Sequence, residues 1–188
     1  PGSVGGFVGN FFFGLLGYKL WGNLRPLSAG VEPDFRESAG RQAVEYAVVA
    51  VAASATCAAI IAWVVDLLGL VPFAVLGPLI LTNNAIAAVV LGPPLLYLTY
   101  PRLKALGLLY PDVLRGDDLS PGRPGLDGLL AWTLVIVPIV WVGVGTLLST
   151  GAGPSLSSVA AVGAVGMAVV AIAAVLVGER LSGLLDGA

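Results

Sequence analysis

The sequence predicts an all-α fold: a polytopic transmembrane helical bundle of about five membrane-spanning segments, the third of them broken. Three observations predict it. Five apolar stretches, Val4–Trp21, Ala43–Leu70, Pro72–Tyr100, Leu126–Ser149 and Leu156–Gly178, are each near or above the ~18–20 residues that a helix needs to cross a bilayer. Charged residues are only 11% of the chain, against about 25% in a typical soluble domain, and the mean hydropathy is +0.97. Most of the charge lies in the short connections between the stretches. Helices in lipid bury only one another's seams, so the 188 residues make one small bundle.

The first segment, GGFVGNFFFGLLGYKLW, is rich in glycine, and Gly5 and Gly9 stand four apart. That spacing lets helix backbones approach closely in lipid. Phe11, Phe12 and Phe13 are expected to face lipid or a pocket. Tyr18, Lys19 and Trp21 read as an interfacial belt with a snorkelling lysine. Asn10 is the one polar group near the segment's middle. The polar stretch from Arg25 to Arg41 contains Pro26 and Pro33 and reads as a surface loop with room for a short amphipathic helix. Glu37, Arg41 and Glu45 follow at four-residue spacing, which suits solvated helical ion pairs.

In the second segment Ala50, Ser54, Ala58 and Ala62 form a smooth stripe, the expected packing seam. Thr56 can return its hydroxyl to its own backbone, and Cys57, the sole cysteine, reads as a small buried hydrophobe. Trp63 and Asp66 lie toward the far end. Asp66 is either a boundary carboxylate with access to water or a ligand or cation contact in an outward cavity. In the third segment Pro72, Gly77 and Pro78 are expected to break the start, leaving VPFAVLGP as an interfacial or re-entrant piece. Asn83 and Asn84 then point about 100° apart on a helix, so at least one faces protein. Each is either interhelical glue or a ligand-binding amide. Pro93 and Pro94 remove two amide donors and predict a kink. The fourth segment carries Trp132, Trp141, Pro138 and Asp127, whose carboxylate complements a helix N-terminus. In the fifth, Ala160, Ala164 and Ala168 stand four apart. These last two segments read as packing or anchoring helices. The expected organisation is a three-helix part over 1–110, a linker over 111–125, and a C-terminal membrane hairpin over 126–188.

The nine Lys and Arg fall on alternate connections. The positive-inside rule places the first and third loops and the C-terminus in the cytoplasm of a multi-pass cell-membrane protein, with Pro1 outside. An outside start without a signal peptide suggests a fragment preceded by an odd number of helices. A net charge of −2 excludes a basic nucleic-acid footprint. The sequence holds no histidine, which removes the commonest metal, haem and general-base ligand. Lys19 and Lys104 sit at segment edges, so neither suits a buried Schiff base. No phosphate-binding loop or dinucleotide turn is present. No enzyme, metal site or cofactor is expected.

GGFVGNFFFGLLGYKLW, then a helix ending in WVVDLLGL, then LTNNAIAAVVLGPPLLYLTYPRLKALGLL, resembles the later part of the membrane substrate-binding (S) components of energy-coupling factor transporters. The resemblance covers roughly residues 1–110. It implies that these segments are the last three of six helices. It also implies a vitamin-like small molecule bound in an outward pocket among Asn10, Trp63, Asp66, Asn83 and Asn84. Trp63 would stack, Asp66 would accept a hydrogen bond or pair a charge, and the asparagines would hold a polar ring edge. Uptake would need a separate scaffold subunit and ATPase subunits. The chain departs from the pattern in lacking the family's N-terminal helices and in carrying two further segments. The alternatives are a non-catalytic sensor or anchoring subunit that assembles through small-residue seams, or a channel lined by Asn10, Asp66 and Asn84.

Overall fold

The computed structural model describes residues 2–109, 112, 125–150 and 156–178, and every regular element among them is a helix. Five helices follow in order: α1 (Gly2–Leu20), α2 (Ala39–Leu67), α3 (Phe73–Ala105), α4 (Leu126–Thr150) and α5 (Leu156–Leu176). Four of them, α2 to α5, are long and apolar enough to cross a membrane. The first has the length, 19 residues, but its glycines, Asn10 and Lys19 dilute its apolar character. Apart from Asp112 and Gly125, the linker expected over 111–125 lies outside the described residues, and so does the connection between α4 and α5.

The second helix is the axis of the bundle: 72% of its apolar window is buried, against 6% for α3. The expected seam of Ala50, Ser54, Ala58 and Ala62 is buried, as are Ala52, Ala55 and Ala59 on its other faces. Small side chains on all sides let several helices close around one. Thr56 donates to the Ala52 carbonyl at 2.9 Å, as its position in an apolar helix requires. The first helix packs antiparallel on α2 through its two spaced glycines. A Cβ at Gly9 would stand 2.8 Å from Ile61 Cγ1 and 3.1 Å from the Cys57 carbonyl, and one at Gly5 3.0 Å from Val64 Cβ. Gly9→Leu is therefore expected to lift α1 from α2 and cost about 2 kcal/mol, read as a lower unfolding temperature in detergent. Gly6→Leu meets open space and should leave that temperature unchanged.

The hairpin of α4 and α5 also closes on α2. The rings of Trp63 (α2) and Trp141 (α4) meet edge to face, centroids 6.0 Å apart. Both lie on α5 glycines: a Cβ at Gly163 would come within 2.0 Å of Trp63 Nε1, and one at Gly166 within 2.5 Å of Trp141 Cδ2. The buried seam of α5 thus runs through Val159, Gly163, Gly166, Val170 and Ala173. Of the expected Ala160–Ala164–Ala168 stripe, Ala164 and Ala168 face outward.

The third segment is not broken. α3 runs continuously for 33 residues, with Pro78, Pro93, Pro94 and Pro101 inside it. Pro78 falls in the second turn, near the helix start where few intrahelical donors are yet needed. The others each remove one donor from a helix otherwise intact, which membrane helices tolerate. Only Phe73, Gly77 and Tyr100 of α3 are buried. Its outer face shows Val75, Leu79, Ile86 and Val90, each more than half exposed, an apolar surface larger than a water-soluble monomer leaves bare.

One end of the bundle is built from buried polar groups. The loop before α2 contains turns and bends rather than the expected amphipathic helix, and α2 itself starts four residues early at Ala39. Glu45 does not pair with Arg41 in solvent. It is fully buried, and its carboxylate accepts hydrogen bonds from Gly22 N at 2.9 Å, Ala29 N at 3.0 Å and the Ser28 hydroxyl. Arg41 instead donates to the carbonyls of Leu27 and Pro26. Gln42 accepts from Phe35 N at 3.0 Å and donates to the Glu37 carbonyl. Lys19 and Trp21 are buried too, not an exposed belt. Lys19 donates to the Val177 carbonyl at 3.1 Å, and Trp21 to that of Val31 at 3.1 Å. Asn23 donates to the Gly178 carbonyl at 2.8 Å, while Asp127 accepts from Gly178 N at 3.0 Å. Lys104, at the end of α3, reaches Glu32 of the loop at 2.6 Å. These contacts gather the C-terminal ends of α1, α3 and α5 with the N-terminal ends of α2 and α4. Every described Lys and Arg lies at this end.

Candidate functional site

The first and third helices both lean on α2 and barely touch one another, leaving a cleft floored by α2. Its deeper part is an open cavity of about 340 Å³ lined by Asn10, Phe13, Tyr46, Asn84, Leu91 and Gly92. A second cavity of about 410 Å³ adjoins it, sharing Tyr46, Gly92 and Leu95. It continues past Gly17 and Leu96 to Trp21, Pro33 and Thr99 at the polar end. Each volume falls in the ~300–1,000 Å³ range of small-molecule sites.

Glycine shapes the cleft. Tyr46 stands against α3 because Gly92 has no side chain; a Cβ there would lie 1.7 Å from the Tyr46 hydroxyl. The α1–α2 loop closes the polar end, with Phe35 packing edge to face on Tyr46 at 5.9 Å and Arg36 over Tyr97 at 5.6 Å. The lining of both cavities contains no Asp, Glu, Lys or Arg.

Two amides face the deeper cavity. Asn10 donates to the Gly6 carbonyl of its own helix at 2.8 Å, and Asn84 to Cys57 Sγ at 3.7 Å. Both contacts use the amide nitrogen, so each side-chain oxygen keeps its accepting capacity. The Tyr46 hydroxyl stands farther along the same cavity, against Gly92, about 12 Å along α3 from Asn84. The structure thus brings together two of the five residues expected from sequence, Asn10 and Asn84.

The other three are placed elsewhere. Asn83 faces outward on α3. Trp63 is wedged between α4 and α5, on the far side of α2 from the cleft. Asp66 holds the turn into α3: its Oδ1 accepts Phe73 N at 2.9 Å, and the Phe73 ring is fully buried against Gly77 and Gly145. Asp66→Ala is expected to cost about 1 kcal/mol, the scale of a lost helix cap, with Asp66→Asn recovering most of it; thermal unfolding of the three proteins checks this.

Tyr46 has no signal in the sequence as a site residue. Its nearest hint is the Gly92-Pro93-Pro94 run, where a glycine beside two prolines marks a close approach. Among the described residues no group of three His, Cys, Asp or Glu side chains is placed to hold a metal ion. The cleft can hold an uncharged molecule by apolar contact and hydrogen bonding.

Comparison with protein-family models, with curated proteins and with solved structures gave no match for this chain. The four long apolar helices and the bare apolar face of α3 fit a multi-pass helical membrane protein.

Proposed function

We propose that the chain is a membrane-embedded subunit that captures a small molecule in the cleft between α1 and α3. The observation that carries this reading is that Asn10 and Asn84, on facing helices, both line one apolar cavity. Amides at mid-helix in lipid are costly without partners, and here two of them open onto space that a ligand can fill. Uptake would proceed with a separate scaffold subunit and ATPase subunits, as the resemblance to energy-coupling factor S components implies. On this reading Asn10 and Asn84 bind ligand, while Trp63 and Asp66 serve packing and capping. The positive-inside rule puts the Lys104 end in the cytoplasm, so the cleft runs from mid-membrane toward that side, not outward as the resemblance implies, and admits its occupant laterally from the lipid.

Native mass spectrometry of the protein purified from its host membrane tests the proposal. It should reveal a bound small molecule that Asn84→Ala removes, together with co-purifying membrane and ATPase subunits. Protein free of any small molecule would defeat it. A second reading, a non-catalytic anchoring subunit, draws on the nearly unburied α3. It predicts that Ile86→Arg on the outer face abolishes assembly with a partner while small-molecule binding is nil.

A further inference from the structure

We infer that the occupant of the cleft is an uncharged, elongated amphiphile: a long-chain alcohol or amide whose polar group sits at Asn10 and Asn84. The inference rests on the cleft being a ligand site, and it names the ligand's class.

Charge is the first constraint. No carboxylate, ammonium or guanidinium group lines either cavity. Lys104 and Glu32 pair with one another at the loop end. A charged ligand would enter a low-dielectric space without a counter-charge, which is strongly unfavourable.

Polarity is the second. At the loop end Trp21 donates to Val31 and the Thr99 hydroxyl to the Leu95 carbonyl. At the deep end the amide nitrogens of Asn10 and Asn84 are engaged and their oxygens keep accepting capacity. The ligand group complementary to those oxygens carries an O–H or N–H.

Shape is the third. Asn84 and Thr99 mark the two ends of the continuous cleft. At 1.5 Å per residue they lie about 22 Å apart along α3. Between them the α3 wall is made of Leu91, Leu95 and Leu96. An apolar chain of that length fits, with its polar group deep and its tail toward Trp21.

The test uses the native protein in lipid nanodiscs with two photoreactive probes of equal length, a diazirine-bearing hexadecanol and the matching hexadecanoic acid, at neutral pH. Crosslinks are mapped by peptide mass spectrometry. The alcohol should label cleft residues of α1 and α3 saturably and about tenfold more than the acid, the scale set by burying an unpaired charge. Asn10→Leu combined with Asn84→Leu should remove that preference, whereas Val90→Ala on the outer face of α3 should not. Equal labelling by acid and alcohol overturns the neutral class while leaving the ligand site intact. Labelling that never saturates and spreads over Val75, Ile86 and Val90 is bulk lipid, and it defeats both the class and the site. Native mass spectrometry of the unlabelled protein separates the two sources: a neutral chain carried through purification is a resident bilayer lipid, and one taken up only on addition is an imported solute. Either supports the class, and a resident adduct bearing a carboxylate or phosphate contradicts it.

Discussion

Glu45→Leu is expected to detach the loop between α1 and α2 and to be the most damaging single change near the cleft. The substitution removes the acceptor of three hydrogen bonds, from Gly22 N, Ala29 N and the Ser28 hydroxyl. It leaves those donors facing an apolar side chain. Each unpaired buried donor costs about 1–3 kcal/mol, so a loss of about 3 kcal/mol follows even if one donor regains water. Hydrogen exchange should rise across residues 22–38 before it rises in α2. Glu45→Gln keeps acceptor oxygen and should lose less. Because the loop carries Pro33 and Phe35 over the polar end of the cleft, the leucine variant should also release any bound ligand faster. Unchanged exchange in the loop would refute its dependence on this carboxylate.

Gly163→Leu should be comparably severe at the other face of α2. The first atom of the new side chain would fall 2.0 Å from the Trp63 indole nitrogen, and Trp63 cannot yield, because Trp141 stands edge-on behind it at 6.0 Å. Overpacking of this kind costs about 1–3 kcal/mol and sometimes more. The hairpin of α4 and α5 should separate from α2, seen as increased hydrogen exchange in α4 and α5. Ligand binding in the α1–α3 cleft should survive, since none of its lining belongs to α4 or α5. Loss of ligand without release of the hairpin would place Trp63 in the site after all.

The helices were legible because apolar length is read directly from residue type. The alanine seam of α2 and the paired glycines of α1 were legible for the same reason: only small residues permit such close contact, and each had its partner. The continuity of α3 was not. Pro78 and Pro93 break helices in water, where the freed carbonyls find solvent, but hydrocarbon offers no such alternative and the helix persists. The roles of Glu45 and Lys19 were hidden because a charged residue at a segment edge looks the same whether it meets solvent or a buried backbone group. Here the loop folds back and supplies Ala29 for Glu45, and the end of α5 supplies Val177 for Lys19.

The site was half legible. Asn10 and Asn84 stood out as amides in apolar surroundings. Nothing local told Asn84 from Asn83, whose neighbours in sequence are nearly the same; the rotation of α3 on α2 alone decides which faces the cleft. Trp63 and Asp66 were drawn toward a pocket by their residue types, yet their surroundings are a glycine groove and a helix start. Tyr46 became part of the site only through Gly92, a residue on another helix.

The central claim is a bundle threaded through a bilayer with its basic end in the cytoplasm and the cleft rising from that end. Side-specific labelling tests it most directly. In a Cys57→Ser background, single cysteines at Glu37, Arg102 and Leu70 are exposed to a membrane-impermeant maleimide in intact cells and in inside-out vesicles. The account predicts that Glu37→Cys and Arg102→Cys react only in the vesicles and Leu70→Cys only in the cells. Reaction of all three from one side would contradict the threading, and the reverse pattern would contradict the cytoplasmic placement of the cleft's open end.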